Sequence, residues 1–173
     1  MGDVKMDKEL LHKKIKKDIE DLINNHPPER TLGNLIPLSI FQAVRIGVLT
    51  AGCGIEAIIY NIGKDIGREV ISRYVDRDNL LESFAEILKK AKIGILEVKK
   101  VEENEMILIL KDCISCHNVP NVGTTLCHFE AGLIAGTLEK KLRRKVNAVE
   151  TKCCGKGDEY CEFLVKIEDK LYW

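Results

Sequence analysis

Aromatic residues are scarce: Phe, Trp and Tyr together make up 5% of the 173 residues, and Trp occurs once. Any core must therefore be built mainly from Ile, Leu and Val, and the 45% hydrophobic content is enough for one sizeable domain. Glutamine is nearly missing, with Gln42 alone, while Lys, Glu and Ile are abundant. That bias is of the thermophilic kind. Net charge is absent too. The 27 Lys and Arg balance the 27 Asp and Glu, so nothing draws the chain to nucleic acid or to an anionic membrane, and no direct nucleic-acid binding is expected. No clean apolar run is long enough to span a bilayer. The greasiest stretch, residues 32–66, is broken by Gln42, Arg45, Glu56 and Lys64, short of the roughly 18 apolar residues a span requires. The first residues, Met1-Gly-Asp-Val-Lys, are charged with no apolar segment behind them, so the expectation is a cytoplasmic protein. Also lacking are a G-x4-G-K-[ST] phosphate loop, a G-x-G-x-x-G turn after a strand, and a DNA-binding helix pair. The Gly52-Cys53-Gly54 fragment lacks the context of a dinucleotide site.

What is present is periodicity. Leu11, Ile15, Ile19, Leu22 and Ile23 recur at helical spacing, so residues 7–25 read as an amphipathic helix within an N-terminal arm (1–30). His26-Pro27-Pro28 ends it. This arm suits a dimer contact, or packing of one stripe on its own domain. After a connector at 31–36, the spacing predicts helices from Leu38 to about Gly52 and from Ile55 to about Tyr74. The second carries a stripe of Ile55, Ile58, Ile59, Ile62, Ile66 and Val70. Asp78 is a suitable N-cap for a third helix through Leu80, Leu81, Phe84, Ile87 and Leu88. The period then shortens. Residues 94–101 and 106–110 flank the polar Glu102-Glu103-Asn104-Glu105 and read as a β-hairpin. A loop at 113–124 leads to a helix from Thr125 to about Leu142. A second hairpin pairs 145–152 with 161–168. The expected fold is α+β: an antiparallel sheet of two hairpins packed against several helices, in a domain covering 31–173, with the N-terminal helical extension.

Of seven cysteines, six fall in the last third: Cys113, Cys116, Cys127, Cys153, Cys154 and Cys161. Clustered thiols in a reducing compartment more often hold metal than pair as disulfides. Zinc takes four N, S or O donors in a tetrahedron. Cys113-x2-Cys116 with His117, Cys127 with His128, and Glu150-x2-Cys153 with Cys161 are three possible half-sites. Strand alternation points residues 150 and 153 to opposite faces. They can share an ion only if the strand ends or bulges near Thr151-Lys152. Spacing alone does not choose among the sets. An isolated cysteine such as Cys53 reads as packing.

The segment Cys127-His-Phe-Glu-Ala-Gly132-Leu-Ile-Ala-Gly136, followed by Glu150-Thr-Lys-Cys153-Cys-Gly-Lys-Gly157-Asp158-Glu-Tyr-Cys161-Glu-Phe163, resembles the 4-vinyl-reductase domain family. The likeness is strongest over 127–165. It extends more loosely upstream to about residue 35 through Tyr60-Asn-Ile-Gly63-Lys-Asp-Ile-Gly67, and residues 1–30 lie outside it. That family includes ligand-sensing domains of bacterial activators responding to phenols and toluenes, and it shares its fold with small subunits of vesicle-tethering complexes. The resemblance implies Cys127, Glu150, Cys153 and Cys161 as ligands of a zinc. Three thiolates and a carboxylate leave no open position, so such a zinc is structural. Cys113 and Cys116 depart from the family pattern and leave open a second or rearranged metal site.

Gly63 and Gly67, and Gly132 and Gly136, lie four apart in expected helices. Each interior Gly costs a helix about 1 kcal/mol relative to Ala, so something must offset it. Close helix packing is one reading. Room for a ligand is the other, and by analogy with the sensing relatives Phe129, Leu133 and Gly136 would border an apolar cavity. The expected function is thus a non-enzymatic binding domain for a hydrocarbon or other apolar ligand, a stand-alone sensor or carrier. A homodimer and a separate output protein are expected as partners. The alternatives are a reductase acting on a vinyl-bearing tetrapyrrole, for which no hydride-donor site is legible, and an assembly subunit.

Overall fold

The computed structural model describes residues 37–50 and 54–171. The expected N-terminal arm and Cys53 lie outside the described residues. From Pro37 onward the chain forms one unit. In order its elements are α1 (Leu38–Thr50), α2 (Ile55–Glu69), a 3-10 turn (Ile71–Tyr74), α3 (Leu80–Lys90), β1 (Ile95–Val101) and β2 (Glu105–Lys111). They continue with α4 (His128–Leu142), β3 (Arg144–Lys152), a second 3-10 turn (Cys154–Lys156) and β4 (Cys161–Leu171). The fold is α+β, as expected.

The sheet is antiparallel throughout, in the order β1-β2-β4-β3. Both expected hairpins form, and they join through β4, which lies between β2 and β3. It pairs with β2 through Leu110↔Cys161, Leu108↔Phe163 and Met106↔Val165. It pairs with β3 through Glu150↔Phe163, Ala148↔Val165 and Val146↔Ile167. Alternation sends Met106, Leu108, Leu110, Phe163, Val165 and Val146 into the core. Ile95 and Val149 on the other face are exposed, the one-sided pattern of an antiparallel sheet.

Helix α4 is buried at every residue from Glu130 to Leu138, because it is packed on β3 on one side and on α2 on the other. A helix covered on both sides needs no polar face. α3 lays Phe84 and Leu88 toward β1.

The α2–α4 contact departs from the expected one. The anticipated isoleucine stripe does not face the core at Ile58 and Ile62, which are 59% and 42% exposed. Gly63 and Gly67 are buried instead. A Cβ at Gly63 would stand 2.1 Å from Phe129 O, and one at Gly67 2.3 Å from Leu133 O. Reciprocally, Gly132 meets Tyr60 O at 2.0 Å and Gly136 meets Lys64 O at 1.9 Å. The room left by the four missing side chains is filled by the backbone of the facing helix, the small-xxx-small packing that lets helix axes approach closely. At Gly136 this is the close-packing reading, with Lys64 O where a side chain would stand.

Three boundaries also differ from expectation. The helix read to Tyr74 stops as an α-helix at Glu69: Val70 N–H still donates to Ile66 O at 2.9 Å, then the chain tightens into the 3-10 turn, with Ser72 Oγ donating back to Arg68 O at 2.6 Å. The N-cap of α3 is Asn79, without a side-chain cap, while Asp76 Oδ1 accepts from Asp78 N–H at 3.0 Å. Helix α4 begins at His128 rather than Thr125, since Leu126 and Cys127 are drawn into the site described next.

Candidate metal centre

The site collects at the end of the sheet where β4 begins. Asp112, in left-handed conformation with φ 52°, turns the chain after β2. One helical turn follows: Cys113 O accepts from Cys116 N–H at 3.2 Å and from His117 N–H at 2.8 Å. That turn puts Cys113 and Cys116 on one side. Cys127 precedes α4, and its carbonyl takes the first helical hydrogen bond from Ala131 N–H at 2.9 Å. Its own N–H donates to Glu150 Oε2 at 2.9 Å. Cys161 opens β4 opposite Leu110.

Glu150 occupies the core row Val146-Ala148-Glu150 of β3, a carboxylate at a position alternation reserves for an apolar side chain. The strand register then slips between Glu150 and Lys152. This is the irregularity required for residues 150 and 153 to face the same point, and both are buried. Asp158 Oδ2 fixes the following turn by accepting from Cys153 N–H at 2.9 Å. Leu126 N–H points at Cys153 Sγ, 3.3 Å away.

Five thiols and one carboxylate therefore meet in a buried cluster. They form two overlapping sets whose donor atoms lie within 4.8 Å of one another: Cys127, Glu150, Cys153, Cys161, and Cys113, Cys116, Cys127, Cys161. Cys127 Sγ lies 3.5 Å from Cys113 Sγ, 3.3 Å from Cys116 Sγ, 3.5 Å from Cys161 Sγ and 3.9 Å from Cys153 Sγ. Cys116 and Cys161 are 3.1 Å apart. With Zn–S bonds of about 2.3 Å, the edge of a zinc tetrahedron is about 3.8 Å; the Cys127–Cys153 spacing matches it and the other four are shorter, so the sulfurs are gathered closely enough to share an ion after a small outward shift. All six of these cysteines, Cys154 included, are free. The first set is the one the family resemblance implied. The second contains the two cysteines that resemblance left aside. His117, His128 and Cys154 belong to neither.

The electrostatics ask for a cation. Burial, reinforced by the charge of Cys153, pushes the Glu150 carboxyl up to about 9. Its Oε1 is buried without a hydrogen-bond partner, a costly state for a carboxylate oxygen. The thiols divide protons among themselves. Cys113 is held well below the usual thiol range by hydrogen bonds from Cys116, Cys127 and Cys161, while Cys127 is held well above it as donor to Cys113 and its neighbours. A divalent ion would be the missing partner of Glu150 Oε1 and would favour thiolate at every sulfur. The residues fit zinc.

A second network supports the cysteine turn. Ser115, between Cys113 and Cys116, donates to the fully buried Glu130 Oε1 at 2.5 Å. Arg45 of α1 lies 3.5 Å from Glu130 Oε2 and donates to Leu126 O at 3.0 Å. Gln42, one helical turn earlier, donates to His117 O at 3.0 Å and Ile114 O at 3.3 Å. None of these four residues stood out in the sequence. The usable signals were a lone glutamine and a serine between two cysteines.

A small cleft beside the site has a volume of about 80 Å³ and a mixed lining, apolar at Ile46, Leu49, Val122 and Leu126 and polar at Glu56, Thr124, Thr125 and His128. Leu126 and His128 flank Cys127. Phe129 is half-buried under Arg45, whose guanidinium stands 5.6 Å from the ring centre, and Leu133 is buried in the core.

A family profile described as the V4R domain matches residues 106–167, which carry all six donors. The uncharacterized protein MJ1642 of Methanocaldococcus jannaschii is 36% identical over 140 residues, covering 80% of this chain and 82% of the relative. Among solved structures, the phenol-responsive sensory domain of the transcription activator PoxR with phenol superposes with a TM-score of 0.62 at 13% identity, over 88% of this chain and 90% of that one. A trafficking protein particle complex subunit 3 from Naegleria fowleri, covalently bound to palmitic acid, gives a TM-score of 0.63 at 16% identity, over 78% and 94%. These last two share the fold. Taken with the profile and the relative, the fold and motif place this chain in the V4R, or 4-vinyl-reductase, domain family.

Proposed function

We propose that the protein is a non-enzymatic binding domain for a small apolar molecule, acting as a sensor or carrier, with a structural zinc held by Cys127, Glu150, Cys153 and Cys161. The observation that carries the zinc is Glu150: a carboxylate in a core row, brought beside Cys153 by a register slip, with Oε1 unsatisfied. Zinc there ties the start of α4 to the ends of β3 and β4. It supplies no open position for chemistry, so it acts on geometry alone.

The ligand reading is supported by two structural neighbours that carry phenol and palmitic acid on the same fold. The proposed ligand enters at the cleft beside Leu126 and His128; Phe129 and Leu133 lie outside its lining and are contacts only if the cleft extends inward past Leu126. Gly136 sets the closeness of α2 and α4 behind them. At about 80 Å³ the cleft suits a small ring or the end of a chain, since sites for drug-sized ligands span about 300–1,000 Å³. No helix among the described residues is long and apolar enough to cross a membrane. We propose a cytoplasmic homodimer that reports to a separate protein.

Native mass spectrometry of freshly purified protein tests the ligand: an apolar small molecule is expected, and a bound flavin or nicotinamide would overturn the reading in favour of a reductase. Elemental analysis tests the metal. At least one zinc per chain is expected, and Cys153→Ser or Cys161→Ser should release it. Full zinc retention in both variants would sink the ligand set.

A further inference from the structure

Resting on the zinc reading above, we propose that the centre holds two divalent ions of the zinc type, bridged by the thiolates of Cys127 and Cys161. Cys113 and Cys116 complete the first ion, and Glu150 and Cys153 the second.

The two donor sets each bring four donor atoms within 4.8 Å of one another, and each contains Cys127 and Cys161. A zinc tetrahedron takes about four donors, so two ions need eight positions. Six donors, two of them bridging, supply those eight with none left over. The placement follows the same division. Cys113 and Cys116 approach on the turn after β2, and Glu150 and Cys153 on the slipped end of β3. Cys127 and Cys161 stand between them at the starts of α4 and β4, 3.5 Å apart, where a shared edge must lie.

A single ion leaves this geometry unexplained. With zinc in the Cys127–Glu150–Cys153–Cys161 set alone, Cys116 Sγ would sit 3.3 Å and 3.1 Å from two metal-bound sulfurs with no ion of its own. With zinc in the four-cysteine set alone, Glu150 Oε1 would stay buried and unpaired. Nor is Cys116–Cys161 a disulfide, whose S–S bond is about 2.05 Å. The four-cysteine set is also too tight for an iron–sulfur cluster, in which each thiolate binds an iron of a wider core. The nearby cation Arg45 is engaged with Glu130 and Leu126 O and leaves the cluster's charge to the metal. The Ser115–Glu130 bond and the Gln42 clamp hold the Cys113–Cys116 turn against the other donors, a supporting shell of the kind metal sites require.

The test uses the full chain purified without oxygen. Native mass spectrometry and elemental analysis should both give two zinc ions per chain, and zinc-edge X-ray absorption should show metal–metal scattering beside a sulfur-dominated shell. The double substitution Cys113→Ser/Cys116→Ser should lower zinc from two to one. Wild-type protein holding one zinc, with that zinc kept in the double variant, overturns the bridged pair and leaves the single-site reading standing. Wild-type protein holding no zinc, or iron with sulfide-to-iron absorption, overturns both. Because stoichiometry and scattering are read on the wild type, a double variant that fails to fold does not protect the proposal.

Discussion

Glu150 is the residue on which the site turns. Two positions earlier and four positions earlier on β3, alternation supplies Ala148 and Val146 to the core. The carboxylate continues that row and ends against sulfur instead of hydrocarbon. Glu150→Gln keeps the shape and an oxygen able to accept from Cys127 N–H, but removes the charge that would meet a cation. The expected result is weaker metal binding, by a factor of ten or more in a chelator competition, with the far-ultraviolet circular dichroism retained. Unchanged metal affinity would exclude Glu150 as a ligand. Glu130 behaves differently. Burial, the largest effect, holds its pKa above the usual carboxylate range against the pull of Arg45 and the Ser115 hydrogen bond, and Arg45 is its partner at 3.5 Å. Removing one partner of such a pair leaves the other buried and alone, at a cost of about 3–5 kcal/mol. Glu130→Ala should lower unfolding stability by that order in urea titrations. At this scale the sequence was partly legible. Glu150, Cys153 and Cys161 were recognisable as a motif, and the need for a bulge at Thr151 followed from strand geometry. That Cys113 and Cys116 join the same cluster was not legible, because their distance from Cys161 is set by how β2 and β4 pair.

Among the elements, α2 and α4 pack through glycine. Four interior glycines cost about 4 kcal/mol in helix propensity, and contact between the two backbones offsets it. Gly132→Ala or Gly136→Ala would place a methyl group at 2.0 Å or 1.9 Å from a carbonyl oxygen. The helices would have to separate, and overpacking of this kind costs about 1–3 kcal/mol. A shift of the urea midpoint of that size is expected for each. A neutral result would mean the helices slide apart freely. Helices α2 and α4 together cover the outer edge of β3 at residues 146 and 148. Tyr60 Oη accepts from Ala148 N–H at 3.3 Å, Lys64 Nζ donates to Val146 O at 3.0 Å, and Glu139 Oε2 accepts from Val146 N–H at 3.2 Å. The edge groups that would otherwise invite another strand are taken. Tyr60→Phe should cost about 0.5–1.5 kcal/mol, measured by thermal unfolding. Helix positions were readable from period, since α1, α3 and β1–β2 lie close to where spacing put them. The buried face of α2 was misread at Ile58 and Ile62 because hydrophobicity favours isoleucine, whereas the packing there is decided by the distance of closest approach, which only glycine permits.

For the whole molecule, the candidate metal site and the sheet are one construction. The donors come from the turn after β2, the start of α4, the end of β3 and the start of β4, so an ion would cross-link those four elements. Metal binding energy in such a site is folding energy. Chelation should therefore lower the melting temperature markedly and loosen the sheet, read as loss of amide protection in β3 and β4 on hydrogen exchange. Protection unchanged after metal removal would make the site an accessory. The α+β class was legible from the alternation of periods. The strand order was not, because hairpin spacing says which strands are joined but not that β4 lies between β2 and β3.

That placement has a consequence for how the protein is made. Strand β4 is last in the described chain, and it both joins the two halves of the sheet and delivers Cys161. Until it leaves the ribosome, β2 has no partner on one side and Cys113, Cys116 and Cys127 are exposed thiols on an unfinished chain. If the cluster holds zinc, a complete donor set exists only once β4 has been made, and until then oxidation would compete with the metal for the same sulfur atoms.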